Sequence, residues 1–305
     1  MVLSSTFAQR ISQMLLEPRL VKLTTRTELE VRRLLPHLRQ RYIGAWCFVD
    51  HFGPTEQTNG MVVAAHPHAG LQTATWVFEG VVEHRDSVGS VQVIEPGQLN
   101  LMTAGHGISH SELSLKHEGR LHAVQLWIAL PDAERERVPD FVHHADLPVV
   151  NFGDASIKVF VGELLGARSS ARTYSELLGA EVRLPAGASV TVSVDRAYEH
   201  GLLVVEGAVA VNSSSVHLNQ MEYLEPGVEH LTITAAEASV LILLGGVPLG
   251  EKLLMWWNFI GRSHAEIVEM RRAWNAREPR FGEFADHIGG WIPAPELPNV
   301  ELRPR

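Results

Sequence analysis

Two parts of this chain repeat one pattern, and the repeat constrains the fold more than any other feature of the sequence. Residues 76–82 read WVFEGVV and residues 203–209 read LVVEGAV, while IEPG at 94–97 resembles LEPG at 224–227. The glycines at positions 80 and 207 are 127 positions apart, and those at 97 and 227 are 130 apart. A chain of 305 residues is long enough for about two domains. The sequence therefore predicts two tandem copies of one structural unit.

Within each copy the local pattern is that of β-strands. Apolar and polar residues alternate in short runs, and Gly- or Pro-containing turns separate the runs. Many short strands at such spacing are typical of a barrel or a sandwich. We therefore expect an all-β protein of two tandem barrels. The predicted strands are 71–78, 91–94, 98–103, 121–130, 157–161, 189–194, 202–211, 221–224, 231–234 and 239–244.

One helix is predicted, near the C-terminus. Ser263 and Glu266 have the spacing of a capping box at its start. The apolar residues that then recur on one helical face are Ile267, Met270 and Trp274. We expect this helix to pack against a barrel wall, and the Pro-rich segment 291–305 to run extended over the surface.

Composition excludes several classes of function. The 26 basic and 35 acidic residues give a formal net charge of −9, so counterion release would not favour direct binding to nucleic acid. A membrane span needs about 18 consecutive apolar residues, and the sequence has no such run. Cys47 is the only cysteine, which excludes an intrachain disulfide and fits a reducing compartment. We expect a cytoplasmic protein whose residues 1–21 form an N-terminal extension.

Two pairs of residues in the first copy have the spacing of metal ligands. His66 and His68 are two positions apart, and so are His110 and Glu112. In a strand, residues two positions apart point to the same face, so the members of each pair project together. Three imidazole nitrogens and one carboxylate oxygen suit a first-row divalent ion that keeps open positions. The sequence therefore predicts one metal ion per chain, bound by these four side chains.

The second copy lacks this ligand set. A shift of 127 positions places Ser193 and Asp195 where the first pair stands, and a shift of 130 places Val240 and Ile242 where the second pair stands. The second barrel is thus expected to act as a packing partner, a wall of the pocket or a surface for a partner. Other histidines are expected not to be ligands, namely His84, His106, His117 and His122, and the presumed linker residues His143 and His144, which are expected to be solvated.

Several motifs resemble those of the pirin family, in the cupin superfamily. They are DHFGP at 50–54, HPHAG at 66–70, EHRDS at 83–87, MTAGHGISHSE at 102–112, WWNF at 256–259 and IPAP at 292–295. The resemblance implies a bicupin, that is, two double-stranded β-helix barrels. Residues 22–140 would form the N-terminal metal-binding cupin barrel. Residues 141–305 would form the C-terminal cupin barrel without metal ligands, plus the C-terminal helix and tail.

The resemblance also implies a metal centre and an activity. Pirins hold a metal with three histidines and one glutamate, which correspond to His66, His68, His110 and Glu112. Iron as Fe(II) is the implied ion, with Ni, Cu, Mn or Co as alternatives. Several pirins are similar in activity to quercetin 2,3-dioxygenase, in which O₂ opens the ring of a flavonol and carbon monoxide is released. Glu112 would then be catalytic, since it could take the 3-hydroxyl proton of this small aromatic substrate.

Two other functions stay open at this point. Some pirins are similar to iron-binding redox regulators, which are not enzymes and dock on a transcription factor or a metabolic enzyme as a protein partner. A different cupin reaction, such as isomerisation or decarboxylation, would need a basic side chain to hold a carboxylate. The strands that carry the expected ligands contain none, and Arg85, which follows the strand at 71–80, is the exception to check.

The chain departs from the family pattern beside the first ligand pair. Pirins commonly read HPHRGFE where this chain has Ala69, Leu71 and Gln72. We expect Gln72 to alter the surroundings of the metal without removing a ligand. Trp76 and Phe78 could form a flat aromatic wall of the substrate pocket or plain barrel core. Met102 could shield the metal or fill the core.

Overall fold

The structure is a computed structural model that describes residues 13–22, 30–56, 61–115, 119–283 and 290–305. Its N-terminal strands are β1 (Gln13–Leu16), β2 (Arg19–Lys22), β3 (Glu30–Leu35), β4 (Trp46–Glu56), β5 (Val62–His68), β6 (Leu71–Glu79), β7 (Val82–Asp86), β8 (Val91–Ile94), β9 (Leu99–Thr103), β10 (Ile108–Ser114), β11 (Arg120–Ala129) and β12 (Asp140–His144). The strands that follow are β13 (Val149–Phe152), β14 (Ala155–Val161), β15 (Glu163–Leu164), β16 (Ala167–Arg168), β17 (Leu177–Leu184), β18 (Ser189–Ser193), β19 (Glu199–Glu206), β20 (Val209–Val211), β21 (Ser214–Val216), β22 (Met221–Leu224), β23 (His230–Ala235), β24 (Ser239–Gly246), β25 (Leu254–Trp256) and β26 (Phe259–Gly261). The helix α1 (His264–Asn275) and a 3-10 turn at Pro279–Phe281 complete these elements.

The strands form two barrels, each made of one large and one small antiparallel sheet. The first barrel combines a sheet of order β12-β9-β6-β11-β4-β3-β2 with one of order β5-β10-β7-β8. The second combines β1-β22-β19-β24-β17-β14-β13 with β18-β23-β20-β21. In each barrel an apolar cluster fills the space between the large and the small sheet. In the first barrel it includes Val77 of β6 and Val82 of β7. In the second it includes Val204 of β19 and Ile233 of β23. The predicted all-β class with two barrels is confirmed.

The two large sheets face each other across a third apolar core. Trp46 and Trp76 enter it from the first barrel, and Phe160 enters it from the second. The Trp46 indole N–H lies 3.1 Å from the carbonyl oxygens of Leu178 and Gly245, so a buried polar group of one barrel is satisfied by the backbone of the other. The barrels therefore share one apolar core between their large sheets.

This core decides the role of two aromatic residues. Trp76 is fully buried in it, and its indole N–H donates to Glu181 Oε2 at 2.8 Å. Phe78 belongs to the same cluster. The interpretation of both as an aromatic wall of the substrate pocket is wrong, because the even-numbered side chains of β6 face the second barrel.

Each terminal segment that the structure describes packs against the barrel that is more distant in sequence. β1 pairs antiparallel with β22 of the second barrel, and Leu16 is fully buried there. Part of the segment expected to be an extension thus completes the second large sheet. At the other end, Phe259 and Trp291 form β-bridges with Ala69 and Ala65 of the first barrel. The C-terminal hairpin and tail therefore pair beside the strand that carries His66 and His68, and the helix packs in the same apolar cluster as Ala69.

The predicted C-terminal helix is confirmed. Ser263 is its N-cap, and the Ser263 hydroxyl oxygen accepts from the Glu266 N–H at 3.3 Å. The Glu266 carboxylate accepts from the N–H of Arg262, one residue before the position that a capping box uses. The expected apolar face is buried and packs beside Phe259 and Phe281. Among the described residues, no helix is long and apolar enough to cross a membrane.

One predicted strand is divided in the structure. The run 202–211 forms β19 and β20, which are separated at Gly207. Gly207 has φ +74°, and a Cβ there would lie 2.4 Å from the Ser239 hydroxyl oxygen. Apolar residues stand on both sides of this turn, and Val204 and Val209 enter the same core cluster, so the apolar run alone does not reveal the break.

Candidate metal centre

Neighbouring strands of the small sheet bring three of the predicted ligands together. β5 pairs antiparallel with β10, and the register places His66 directly opposite His110. His68 lies on the same face as His66, two residues further along β5. The ring centroids of the three imidazoles are 4.3–5.1 Å apart, and one nitrogen of each lies within 4.8 Å of the others. His66 and His68 of the first predicted pair and His110 of the second therefore form one buried group.

Each imidazole in this group has a nitrogen that no protein atom satisfies. His66 Nδ1 lies 2.8 Å from the carbonyl oxygen of Ala64, so Nδ1–H donates and Nε2 keeps its lone pair. His68 Nδ1 and His110 Nε2 are buried without a hydrogen-bond partner. Buried polar atoms without partners are costly and rare. Two such nitrogens, beside the free lone pair of His66 Nε2, fit a metal ion, which takes lone pairs as ligands.

The electrostatics of the group keep its histidines neutral. Burial lowers the pKa of His66 to about 4. Burial, together with the neighbouring imidazoles, lowers the pKa values of His68 and His110 well below the ordinary value. Because a metal ion binds the neutral imidazole, the site does not have to lose protons before binding near neutral pH.

Glu112 lies beside this group and shares His110 with it. The ligand atoms of His84, His110 and Glu112 are within 4.8 Å of one another. Burial of the carboxylate raises the pKa of Glu112, against smaller opposing effects of His84 and of a hydrogen bond with Thr75. The structure thus places the three histidines in one ligand group and Glu112 in a second, adjoining one.

His84 belongs to the second ligand group, and the sequence analysis did not select it. It was expected not to be a ligand, and the structure places it next to the ligands, 3 % exposed and directly opposite Glu112 in the β7–β10 pairing. Its Nδ1 lies 3.3 Å from His110 Nδ1. The available signal was the spacing of His84 and Asp86, which are two positions apart like the members of the two ligand pairs.

Aromatic rings border the cluster on two sides. The Trp127 ring meets the His68 ring edge-on at a centroid distance of 5.0 Å, and Phe48 stacks on Trp127 at 3.9 Å. On the other side Phe141 stacks on His84 at 4.4 Å. The rings beside the imidazoles are therefore these, and not those of Trp76 and Phe78.

Two residues singled out beside the ligands have structural contacts. Gln72 is fully buried, and its amide donates to the Thr103 hydroxyl and to the carbonyl oxygen of Arg172 in the second barrel. Its contacts therefore lie on the face of β6 that is turned away from the first barrel's interior. Met102 packs in a small cluster with Ile108 and Phe141, beside His84.

The remaining histidines lie outside the ligand groups. His122 Nε2 is 2.7 Å from His51 Nε2, in a buried pair at the boundary between the barrels. His106 Nδ1 lies 3.1 Å from the carbonyl oxygen of Arg137. His143 was expected in a solvated linker, but it lies in β12 with Nδ1 2.7 Å from Asn100 Oδ1. His117 lies outside the described residues.

Comparison with known proteins agrees with this architecture. The sequence profile described as Pirin matches residues 28–128, and the profile described as Pirin C-terminal cupin domain matches residues 179–282. A Pseudomonas aeruginosa protein named "Putative quercetin 2,3-dioxygenase" is 44% identical over 270 residues, which are 88% of this chain and 86% of that protein. A Caulobacter vibrioides protein named "Pirin-like protein" is 38% identical over 278 residues, with 88% and 94% covered.

A solved structure shows the same fold. The crystal structure of a quercetin 2,3-dioxygenase from Acinetobacter baumannii matches with a TM-score of 0.91 at 38% identity, and the match covers 96% of this chain and 97% of that one. Two tandem cupin domains, the first with a buried histidine cluster, make this protein a bicupin. The chain belongs to the pirin family, as its motifs predicted.

Proposed function

We propose that this chain is a metal-dependent dioxygenase of the quercetin 2,3-dioxygenase type, which cleaves flavonols or related enolisable aromatics with O₂. The observation that carries the proposal is the convergence of three unpaired imidazole nitrogens, from His66, His68 and His110, inside the first barrel. Two relatives named for this activity, at 44% and 38% identity, support it. The cytoplasm would suit it, since Cys47 is a buried, unpaired thiol.

The donor set suits one divalent ion held by His66, His68, His110 and Glu112. Imidazole and carboxylate donors with open positions are typical of non-haem Fe(II) sites, so Fe(II) is the proposed ion. Nickel, copper, manganese and cobalt accept the same donors, and their availability helps to decide which one is loaded. The second barrel would carry no equivalent, since Val240 and Ile242 stand where the second ligand pair would be.

A bound ion would supply Lewis acidity toward an enol oxygen of the substrate. The chain's own residues would do the rest. Glu112 would accept the 3-hydroxyl proton of the flavonol, and burial raises the pKa of its carboxyl group, which makes it a stronger base than an exposed one. Trp127 and Phe141 would contact the flat substrate and keep water out. Both rings lie directly against imidazoles of the cluster.

The test is O₂ consumption with quercetin by protein loaded anaerobically with Fe(II), with carbon monoxide measured in the same vessel. We expect O₂ uptake and carbon monoxide release in equal amounts, and loss of both after chelation and in His68→Ala. His143→Ala is the matched control, because this histidine lies outside the ligand groups.

Two outcomes would contradict the proposal. Metal at one per chain without O₂ uptake would favour the redox-regulator function and a search for a protein partner. Turnover that survives in His68→Ala would place the reaction elsewhere in the molecule.

A further inference from the structure

A chain of three buried side chains leads from a turn of the first barrel into the proposed metal site. Asp86 Oδ2 lies 3.0 Å from His84 Nε2. His84 Nδ1 lies 3.3 Å from His110 Nδ1. The exposed fractions of Asp86, His84 and His110 are only 2 %, 3 % and 2 %. Water therefore cannot easily replace any partner in this chain.

With the imidazole of His84 in its neutral form, the protons of these three side chains have one consistent placement. Burial by itself raises the pKa of Asp86, but hydrogen bonds from His84 and from the backbone of Ser90 outweigh it and lower the pKa overall, so Asp86 is a carboxylate and only accepts. His84 Nε2 must then donate. A neutral imidazole carries one N–H, so His84 Nδ1 accepts and His110 Nδ1 donates to it. This leaves the lone pair of His110 on Nε2, the buried atom without a protein partner.

The orientation of the middle ring is also fixed. Phe141 stacks on His84 at a centroid distance of 4.4 Å and an interplanar angle of 16°. The register of β7 with β10 holds Asp86 opposite His110 and His84 opposite Glu112. Both nitrogens of His84 are thus aimed at their partners by elements that the barrel already needs.

We infer that Asp86 and His84 are positioning residues that set the tautomer of His110, so that its Nε2 lone pair is available to the metal. This inference rests on the proposed metal site and adds two residues to it. Asp86 does not contact His110 through a side-chain hydrogen bond of its own, and it acts through its hydrogen bond with His84. Partners of this kind orient metal ligands in many proteins, and losing one costs about 10–100-fold in metal affinity.

Asp86→Asn would reverse the donor and acceptor roles along these hydrogen bonds, because the turn after β7 fixes which end of the asparagine amide faces His84. Asp86 Oδ1 accepts from the backbone N–H groups of Val88 and Ser90, both at 3.0 Å. An asparagine must keep its carbonyl oxygen on those two donors, which turns its NH₂ group toward His84. His84 Nε2 then accepts, Nδ1–H faces His110, and the proton of His110 moves to Nε2.

The tautomers can be read without metal or activity. In metal-free protein with ¹⁵N-labelled histidine, two-dimensional NMR at neutral pH distinguishes protonated from unprotonated ring nitrogens, and His110→Gln identifies the His110 signals. We expect Nδ1–H in the wild type and Nε2–H in Asp86→Asn. Competition with a chelator should show Fe(II) bound about 10–100-fold more weakly by Asp86→Asn.

Two variants separate this effect from damage to the fold. His84→Gln should keep the wild-type tautomer and metal affinity, because one amide can donate to Asp86 and accept from His110 as the imidazole does. Asp50→Asn is the matched control: Asp50 is equally buried, bonds the Arg33 guanidinium and contacts no histidine of the cluster. It should leave the His110 signals unchanged. If Asp86→Asn does not fold, His84→Leu replaces it and should give a mixture of both His110 tautomers.

The result that overturns the inference is an unchanged His110 tautomer in Asp86→Asn, or in His84→Leu where that variant replaces it, together with unchanged Fe(II) affinity. Failure of the proposed function looks different. Wild-type protein would then show the Nδ1–H tautomer and bind Fe(II) without consuming O₂.

Discussion

His200 shows what burial of a histidine costs when no partner is present. It is fully buried in the second barrel, and neither ring nitrogen has a hydrogen-bond partner. The His200 ring and the side chains of Leu178 and Tyr198 all lie beside Gly245, so apolar groups surround the ring. Unlike the imidazoles of the first barrel, it belongs to no group of potential ligands among the described residues. The same residue type thus forms a candidate ligand group in one barrel and is a buried side chain without hydrogen-bond partners in the other.

Replacing His200 should stabilise the protein and change its response to acid. Burial lowers the pKa of His200 to about 4. The unfolded chain therefore binds a proton at a higher pH than the folded chain, so stability falls as pH drops from about 6.5 toward 4, by up to about 1.4 kcal/mol per pH unit. We expect His200→Leu to raise the free energy of unfolding by about 1–3 kcal/mol at pH 7. It should also reduce the loss of stability between pH 7 and pH 5.

Urea unfolding at the two pH values measures both effects. His217→Leu is the control, because His217 is exposed. Equal pH dependence in wild type and His200→Leu would show that the buried imidazole does not titrate as described.

At the scale of elements, the N-terminal strand β1 belongs to the second barrel's core. It covers one edge of β22, and its last residue, Leu16, is fully buried. Leu16→Ala should lower the free energy of unfolding by about 2–5 kcal/mol, because the deleted methyl groups lose their packing and leave a cavity. Leu20→Ala in β2 is the control, with Leu20 66 % exposed, and should change stability by about 0.5 kcal/mol or less. Equal urea midpoints for the two variants would contradict this role of β1.

The elements differ in how far the sequence could predict them. The strands at 91–94 and 221–224 match β8 and β22 residue for residue, because turns bound them closely on both sides. β5, which carries His66 and His68, shows no alternation of apolar and polar residues, since residues on both of its faces are buried. Its ligand pair was found from residue type and spacing instead.

The place of His84 could not be predicted in the same way. Its contact with His110 depends on the register of β7 with β10, which joins residues 26 positions apart. Such a register follows from the packing of the whole barrel, and no local pattern records it. The spacing of His66, His68, His110 and Glu112 is local within each pair, so those residues could be proposed from the sequence alone.

At the scale of the whole molecule, the shared core should make the two barrels unfold together. Both large sheets contribute to it, and both ends of the chain cross to the opposite barrel. We expect one calorimetric transition for the metal-free protein. Trp76→Ala should move that whole transition to lower temperature, with a loss of about 3–5 kcal/mol. Two separate transitions, with only one of them shifted by Trp76→Ala, would contradict a shared core.

The most direct test of the metal centre is anomalous X-ray diffraction at the iron edge, on crystals of protein loaded anaerobically with Fe(II). The account predicts one peak per chain, within about 2.0–2.2 Å of His66 Nε2, His68 Nδ1, His110 Nε2 and a carboxylate oxygen of Glu112. It predicts no peak in the second barrel. A chain without a peak, or with a peak that these histidines do not coordinate, would contradict it.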